Sequence, residues 1–445
     1  MPRSDHPPLR LRLSALRADL LGVQKRLVAD HDGFVRYRVL HRVFTLLADA
    51  DANQRVFIGN LPGYGRSLQH DNLSLIIGQG LICSDGEMWR RQRTLTQPVF
   101  NRALLERVVE ITATLVTEVV DGWDRARERG EPVDVFSDMQ TLAMRVMAVA
   151  LFSHDPKTTA NDFVDTVRVG LEVVVRRNIS PVTVPLWFPT RLHRRFARHL
   201  RAVDDFVAER IEERLADTDR YPDILSDLIR AYGEQAGRRR RELRDQVVTL
   251  FFAGFETTGT ALAWTWHLLG QHDDEIAGRF REELARVLGG RAPTYDDLGT
   301  LDYTRQVIQE SMRLYPPVYT LTRTATADDD IDGRRIHQGD NLVIPLHTLH
   351  RMPQYWPEPD SFCPHRFAPG RLTTDQRRAY LPFAAGQRKC IGTNFAITEM
   401  LTVLAVAGQR VRLTPVDGHP VEAAPAVTQY LRHGLLMNVE LVGPA

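Results

Sequence analysis

Ten consecutive residues, Phe383-Ala384-Ala385-Gly386-Gln387-Arg388-Lys389-Cys390-Ile391-Gly392, put a cysteine beside two cations and just ahead of a predicted helix. A helix start and neighbouring positive charge both favour a thiolate. Gly386 and Gly392 allow backbone to approach a flat ligand closely. A thiolate so placed could ligate iron or act as a nucleophile. The alternative is a buried, inert thiol, the common state of a free cysteine. It leaves the glycines and cations unexplained, but it suffices for Cys83 and Cys363. Three cysteines with no C-x-x-C pair are too few for a disulfide framework or a four-ligand zinc site.

Three further constellations carry charge into apolar or aromatic surroundings. Ala253-Gly254-Phe255-Glu256-Thr257-Thr258 lies inside the most apolar helical stretch of the chain. A threonine there can simply bond back to the preceding turn, but a carboxyl group is costly unless satisfied or used. Glu310 and Arg313 share one helix face at i,i+3, a spacing also common in surface ion pairs. Trp89 and Arg93 share a face at i,i+4.

Together these motifs resemble the cytochrome P450 family of haem-thiolate monooxygenases. Phe383, Gly386, Arg388, Cys390 and Gly392 fill the fixed positions of its ligand loop, with Ala384 where Gly or Ser is usual. Cysteine thiolate ligation is typical of that family. The resemblance implies haem b with Cys390 as iron ligand and dioxygen as co-substrate. It implies proton delivery by Glu256 and Thr257, with Gly254 leaving room for dioxygen. Trp89, Arg93, Arg323 and Arg388 are implied to hold haem propionates, and Glu310, Arg313 and Arg366 to form a structural triad, with His365 in place of the usual Glu. Substrate-lining positions fall on Leu73 to Ile77, on Phe251, Phe252 and Ala253, on Val318, Tyr319 and Thr320, and on Thr428, Gln429 and Tyr430. None of these is charged, which suits an apolar skeleton.

The expected activity is hydroxylation or another oxidation of an apolar natural product: a terpenoid, polyketide or fatty-acyl scaffold. The alternatives are a non-hydroxylating member (coupling, nitration, rearrangement) and a haem-binding sensor or carrier. Few residues follow Cys390, so no fused reductase is expected, and electrons from NAD(P)H should arrive through a separate ferredoxin and ferredoxin reductase. Arg91 lies about 200° around its helix from Trp89. It is expected to face solvent and, with Arg90 and Lys389, to offer a basic patch to an acidic ferredoxin; a plain solvated Arg is the alternative.

The elements that must position these groups are mostly helical. Apolar periodicity predicts helices over 15–30, 85–96, 101–128, 138–151, 161–175, 191–215, 243–270, 274–288 and 302–314, with another starting after Cys390. Strands are expected at 33–39, 42–47, within 320–345 and in the last thirty or so residues. Residues 353–370 read as ordered but irregular, and the run 238–241 as a solvated basic loop. His347 and His350 read as helix or turn surface. The expected fold is mainly α with small β-sheets, a single large domain over 1–445 of P450 type, with a long central helix over the haem. The formal net charge of +1 gives no global pull toward nucleic acid. The absence of a signal-type apolar core and of any predicted 18–20-residue apolar span points to a cytoplasmic chain without membrane insertion. Asn178-Ile179-Ser180 is a sequon without consequence there.

Overall fold

The computed structural model describes residues 7–157, 169–177 and 184–442. Residues 169–177 are helical, while the start of the predicted 161–175 helix and the Asn178 sequon lie outside the described residues.

The architecture is mainly helical, organised on the central helix Arg240–Gln271. At about 1.5 Å per residue its 32 residues span roughly 48 Å. From Asp245 to Leu269 every residue is buried except Phe251, Ala253, Gly254 and Thr257. A helix apolar on nearly every side belongs in the middle of a protein. Its closest neighbour is the helix Val135–Phe152. The backbones meet at Gly259, where a Cβ would lie 2.9 Å from Gln140 Cα and the Met139 carbonyl oxygen. Farther along, Trp264 stacks flat on Tyr315 at 3.8 Å, tying the central helix to the chain leaving Asp302–Leu314.

Caps set most helix starts. Asp85 precedes Gly86–Thr96, Asn101 accepts from the Leu104 amide ahead of Arg102–Glu128, and Thr190 accepts from the His193 amide ahead of Arg191–Ala216. The 15–30 helix is two helices, Leu13–Ala18 and Leu20–Asp30, because Asp19 leaves helical geometry (φ −154°) to cap the second. Helices Leu68–Ile77 and Ile224–Tyr232 were not expected; the first is short with a period obscured by polar residues, whereas the second is short but clearly amphipathic, with Ile224, Leu225, Leu228, Ile229 and Tyr232 buried at helical spacing, a signal the sequence offered and the reading missed. The basic run is not a loop: Arg240 and Arg241 open the central helix, and Arg239 pairs with Glu242. The next helix begins at Gly278, after a wide turn over Asp273–Ala277.

A six-stranded sheet runs in the order Leu9–Leu11, Phe34–Val39, Arg42–Leu47, Asn341–Ile344, Leu321–Ala325, Tyr64–Gly65. It places Arg323 opposite Leu342 and has its own apolar core, separate from the helical one. A two-stranded ribbon, Ala423–Pro425 with Gln429–Leu431, presents Thr428 from its turn. His347 and His350 are not on the surface. His350 is fully buried and its Nε2 accepts from the Leu381 amide. Contrary to the sequence expectation, Val135–Phe152 and Arg240–Gln271 are long and apolar enough to cross a bilayer by length and composition, but 72% of each window is buried inside the protein. Among the described residues no His, Cys, Asp and Glu cluster could hold a metal ion.

Candidate active site

The Cys390 loop is a tight reversal. Ala384 and Gly386 both take left-handed backbone (φ +57° and +69°), and the Cys390 amide donates to the Phe383 carbonyl at 3.0 Å. A Cβ on Gly386 would collide with the Phe57 carbonyl oxygen, so only glycine fits. Ala384 holds a conformation that costs a β-carbon about 1 kcal/mol. The helix begins at Thr393, with Gly392 at its cap, so Cys390 stands just ahead of it. Cys390 is exposed at its surface, yet the bulk of protein packed around the loop desolvates it and pushes the thiol pKa up, against the pull of the Gly392 amide, the Thr393 hydroxyl, Arg93 and Lys389. Desolvation therefore outweighs the nearby cations for the free thiol, whereas a metal would hold it as thiolate.

Beside this loop three guanidiniums converge. Arg388 lies over the Trp89 ring at 4.4 Å, donates to the Ser84 carbonyl at 3.2 Å and pairs with Asp85. Arg323, 3% exposed, donates only to the Thr322 carbonyl, and its Nε has no partner. Arg66 reaches the Ser84 and Leu81 carbonyls and His70. Burial lowers all three pKa values, and Arg388 further lowers those of Arg66 and Arg323, bringing Arg323 to about 10. The same arginines, after burial, drive His70 well below its ordinary value. Asp85 is the carboxylate acting on this group, so the cluster is short of negative charge. Arg66 and His70 were not expected, because Leu68–Ile77 gives little helical signal and the partners are far apart in sequence. Arg93 stands apart, donating to Gln97 and to the Lys389 carbonyl at 3.0 Å.

On the central helix, Thr257 donates to the Ala253 carbonyl and Thr258 to the Gly254 carbonyl, both at 2.8 Å. The accessible residues Ala253, Gly254 and Thr257 mark where the helix meets interior space. A side chain at Gly254 would meet Met147, whose Cε lies 2.1 Å from where its Cβ would be, while the glycine itself stays partly accessible. Glu256 is buried and accepts from the Thr428 hydroxyl, and burial pushes its pKa up to about 7.

Glu310, Arg313 and Arg366 meet as spaced. Arg313 makes two bonds of 2.7 Å to Glu310, and Arg366 Nε reaches Glu310 at 3.3 Å. The apolar positions divide. Phe251 and Phe252 line a narrow cavity of about 40 Å³ with Phe152, Phe196, Phe206 and Ile76. Ile77 does not line it; one residue farther round the helix, it is fully buried. Leu73, Val318 and Thr320 are partly accessible. Tyr319 donates through its hydroxyl to the Ala426 carbonyl; Gln429 is fully buried, its Oε1 at His347, its carbonyl accepting from Trp264 and its Nε2 without a partner; Tyr430 sits in the ribbon. Arg91 does not project free into solvent: its Nη2 pairs with Glu242 at 2.9 Å, leaving Arg90 and Lys389 as the exposed cations.

The profile of the family described as Cytochrome P450 matches residues 11–432. The chain belongs to the cytochrome P450 family. It is 37% identical to cyclooctatin synthase of Streptomyces melanosporofaciens over 79% of this chain and 77% of that protein. It is 35% identical to cyclooctat-9-en-7-ol 5-monooxygenase of the same organism (78% and 75%) and 32% identical to pentalenene oxygenase of Streptomyces avermitilis (86% and 84%). As a cytochrome P450 monooxygenase it uses haem and dioxygen, receives electrons from redox partners and acts on apolar substrates. The site fits that cofactor: the orphaned Arg323 Nε and the charge-deficient Arg66, Arg323, Arg388 group suit the carboxylates of a haem, and Cys390 supplies a thiolate.

Proposed function

We propose that this chain is a single-domain cytoplasmic P450 that hydroxylates a terpenoid skeleton. The observation that carries the substrate class is the similarity to two bacterial oxygenases; the Phe152, Phe196, Phe206, Phe251 and Phe252 lining supports it, although that cavity, about 40 Å³ with His199 in its wall, is far smaller than such a skeleton and must widen to admit one. Two of the similar proteins are named for a terpene-type alcohol and hydrocarbon substrate. A sugar or free amino acid would lose water there without gaining partners.

In this reading Cys390 holds the iron, Arg323, Arg388 and Arg66 receive the propionates, and Trp89 braces Arg388 by cation–π contact. Arg93 fixes the ligand loop through the Lys389 carbonyl, while Phe383, Gly386 and Gly392 shape it. The chemistry supplied by bound haem is reductive activation of dioxygen. The protein supplies position, dryness and protons. Glu256, with a pKa near 7, can both release and regain a proton at neutral pH. Thr257 directs its hydroxyl proton at Ala253, so it must rotate to donate toward a ligand. Electrons come from NAD(P)H through a separate ferredoxin and its reductase.

The test has two arms. Ferric protein is titrated with a cyclic terpene, a long-chain fatty acid and a polar amino acid, and turnover is followed with isotopic dioxygen. The terpene should displace iron-bound water and give a singly labelled alcohol. A response to the amino acid alone would reject the substrate class, and a Cys390→His protein that kept the thiolate-type ferrous carbon monoxide spectrum would reject the ligand.

A further inference from the structure

Thr428, placed by resemblance among the substrate-lining positions, is only 3% exposed, and its hydroxyl donates to Glu256 Oε1. Four further bonds fix the turn that carries it. The Gln429 amide donates to the Pro317 carbonyl at 2.8 Å and the Tyr319 hydroxyl to the Ala426 carbonyl at 2.8 Å. The Trp264 indole donates to the Gln429 carbonyl at 3.3 Å and the Ala426 amide to the Thr428 carbonyl at 2.9 Å. The turn is thus pinned to the 317–319 segment and to the central helix. Glu256 is held on its main-chain side as well: Gln140 donates to its carbonyl oxygen at 3.1 Å and to the Thr260 hydroxyl, one turn on, at 2.9 Å.

The two carboxyl oxygens differ. Oε1 takes the Thr428 bond, whereas Oε2 has no partner among the described residues and stays open to a water-sized neighbour. No ionised group acts on Glu256. On Val135–Phe152, Asp138 is bonded to Trp123, and Arg145 to Glu118 and Asp155. Around the ribbon, Glu422 takes Arg432 and His433, and burial keeps His347, beyond Gln429, uncharged. On Asp302–Leu314, Glu310 and Arg313 are closed on each other. His267 of the central helix and Glu399 of Thr393–Gly408 are buried, which favours the uncharged form of both.

We propose that Thr428 is a positioning residue for proton delivery, its hydroxyl holding Oε1 so that Oε2 meets water in one fixed orientation. The inference rests on the proton-delivering reading of Glu256. A hydroxyl suits the task because it donates to the carboxylate and, after turning, accepts from the protonated acid, so one partner serves both states. The proton leaves Oε2 for the water beside it, the carboxylate keeps its bond to Thr428, and water returns the proton. A cation in the same place would hold the acid ionised. The plain alternative is a hydroxyl that only satisfies a buried carboxyl.

The experiment uses haem-loaded protein, a ferredoxin and its reductase, and whichever of the cyclic terpene or the long-chain fatty acid gives the larger ferric spectral shift. Thr428→Val keeps the shape and loses the hydroxyl. It should cut product formed per NAD(P)H consumed about tenfold, with hydrogen peroxide taking up the electrons. The infrared band of protonated Glu256, identified by its loss in Glu256→Gln, should titrate about one pH unit higher, because the charged form has lost a donor. Thr428→Ala should do the same, and Thr428→Ser should restore both readings. In a Glu256→Gln background, Thr428→Val should change coupling no further. All variants should keep the parent ferrous carbon monoxide spectrum, which shows that the haem site is intact. Unchanged coupling and band midpoint without the hydroxyl, or a lowered thermal midpoint with coupling intact, would reduce Thr428 to packing and overturn the proposal. So would a further loss in the double variant. Full coupling in Glu256→Gln alone would remove the acid itself from proton delivery, and Thr428 with it.

Discussion

Arg313 and Arg323 are near neighbours in sequence and both are buried, yet their surroundings are opposite. Arg313 has all five guanidinium N–H groups engaged: Glu310 takes two, and the carbonyls of His350, Pro359 and Ser361 take the rest. Glu310 in turn accepts from Arg366 and the Cys363 amide. Arg323 spends a single bond on its own preceding carbonyl, faces Arg66 and Arg388 and keeps an orphaned Nε. The same side chain thus serves as a closed structural joint in one place and as an open receptor in the other. Buried arginine alone says nothing about role; the tally of its partners does.

The largest effect should come from opening the closed joint. Glu310→Ala leaves Arg313 charged, buried and short of its carboxylate, which should cost about 3–5 kcal/mol. Urea unfolding should show it, with or without haem. A loss under 1 kcal/mol would mean that Arg313 does not depend on its carboxylate.

A buried carboxyl with only a hydroxyl for company gives the contrasting case. The folded-state pKa of Glu256 is raised from 4.5 to about 7, so the folded protein binds its proton more tightly than the unfolded chain. The stability is fully present below about pH 4.5, is lost as pH rises through 7, and then levels off. The deficit at high pH is about 3 kcal/mol. Glu256→Gln should therefore gain stability relative to the parent between pH 5 and pH 8, and a constant difference between the two proteins would argue against the raised pKa.

Emptying the open receptor should spare the fold. Arg323→Met removes a desolvated, under-partnered cation, so unfolding of the haem-free protein should change little. Haem retention should fall by about 1.5–3 kcal/mol, the worth of a charged hydrogen bond. Haem transfer to an acceptor protein measures it. Equal losses in stability and retention would make Arg323 another closed joint.

The smallest effect concerns the loop that delivers Arg388 to the receptor. Ala384 carries a β-carbon at φ +57°, so Ala384→Gly should stabilise by about 1 kcal/mol or less, visible as a small rise in thermal midpoint.

The helical frame was legible because caps and apolar stripes are local. Asn101, Asp85 and the 302–314 periodicity each sit within a few residues of what they determine. The ligand loop and the Glu310–Arg313 spacing were legible for the same reason. The completed receptor was not. Arg66 and Arg323 are far apart along the chain, and their meeting depends on the sheet bringing Tyr64–Gly65 beside Leu321–Ala325. Nor was the fate of Arg91, whose position on its helix was read correctly but whose partner, Glu242, arrives from the start of the central helix. Asp19 was read as part of one continuous helix, since an aspartate fits either a helix face or a cap.

For anyone redesigning the pocket, the contact between the central helix and Val135–Phe152 divides the editable positions from the fixed ones. At Gly254 the obstacle is the end of a flexible methionine side chain, so a larger residue could be accommodated by trimming Met147 in the same variant. At Gly259 the obstacle is main chain, which no neighbouring substitution can shorten. Combinatorial libraries should pair 254 with 147, leave 259 untouched, and treat it as the datum from which the geometry of the remodelled cavity is measured.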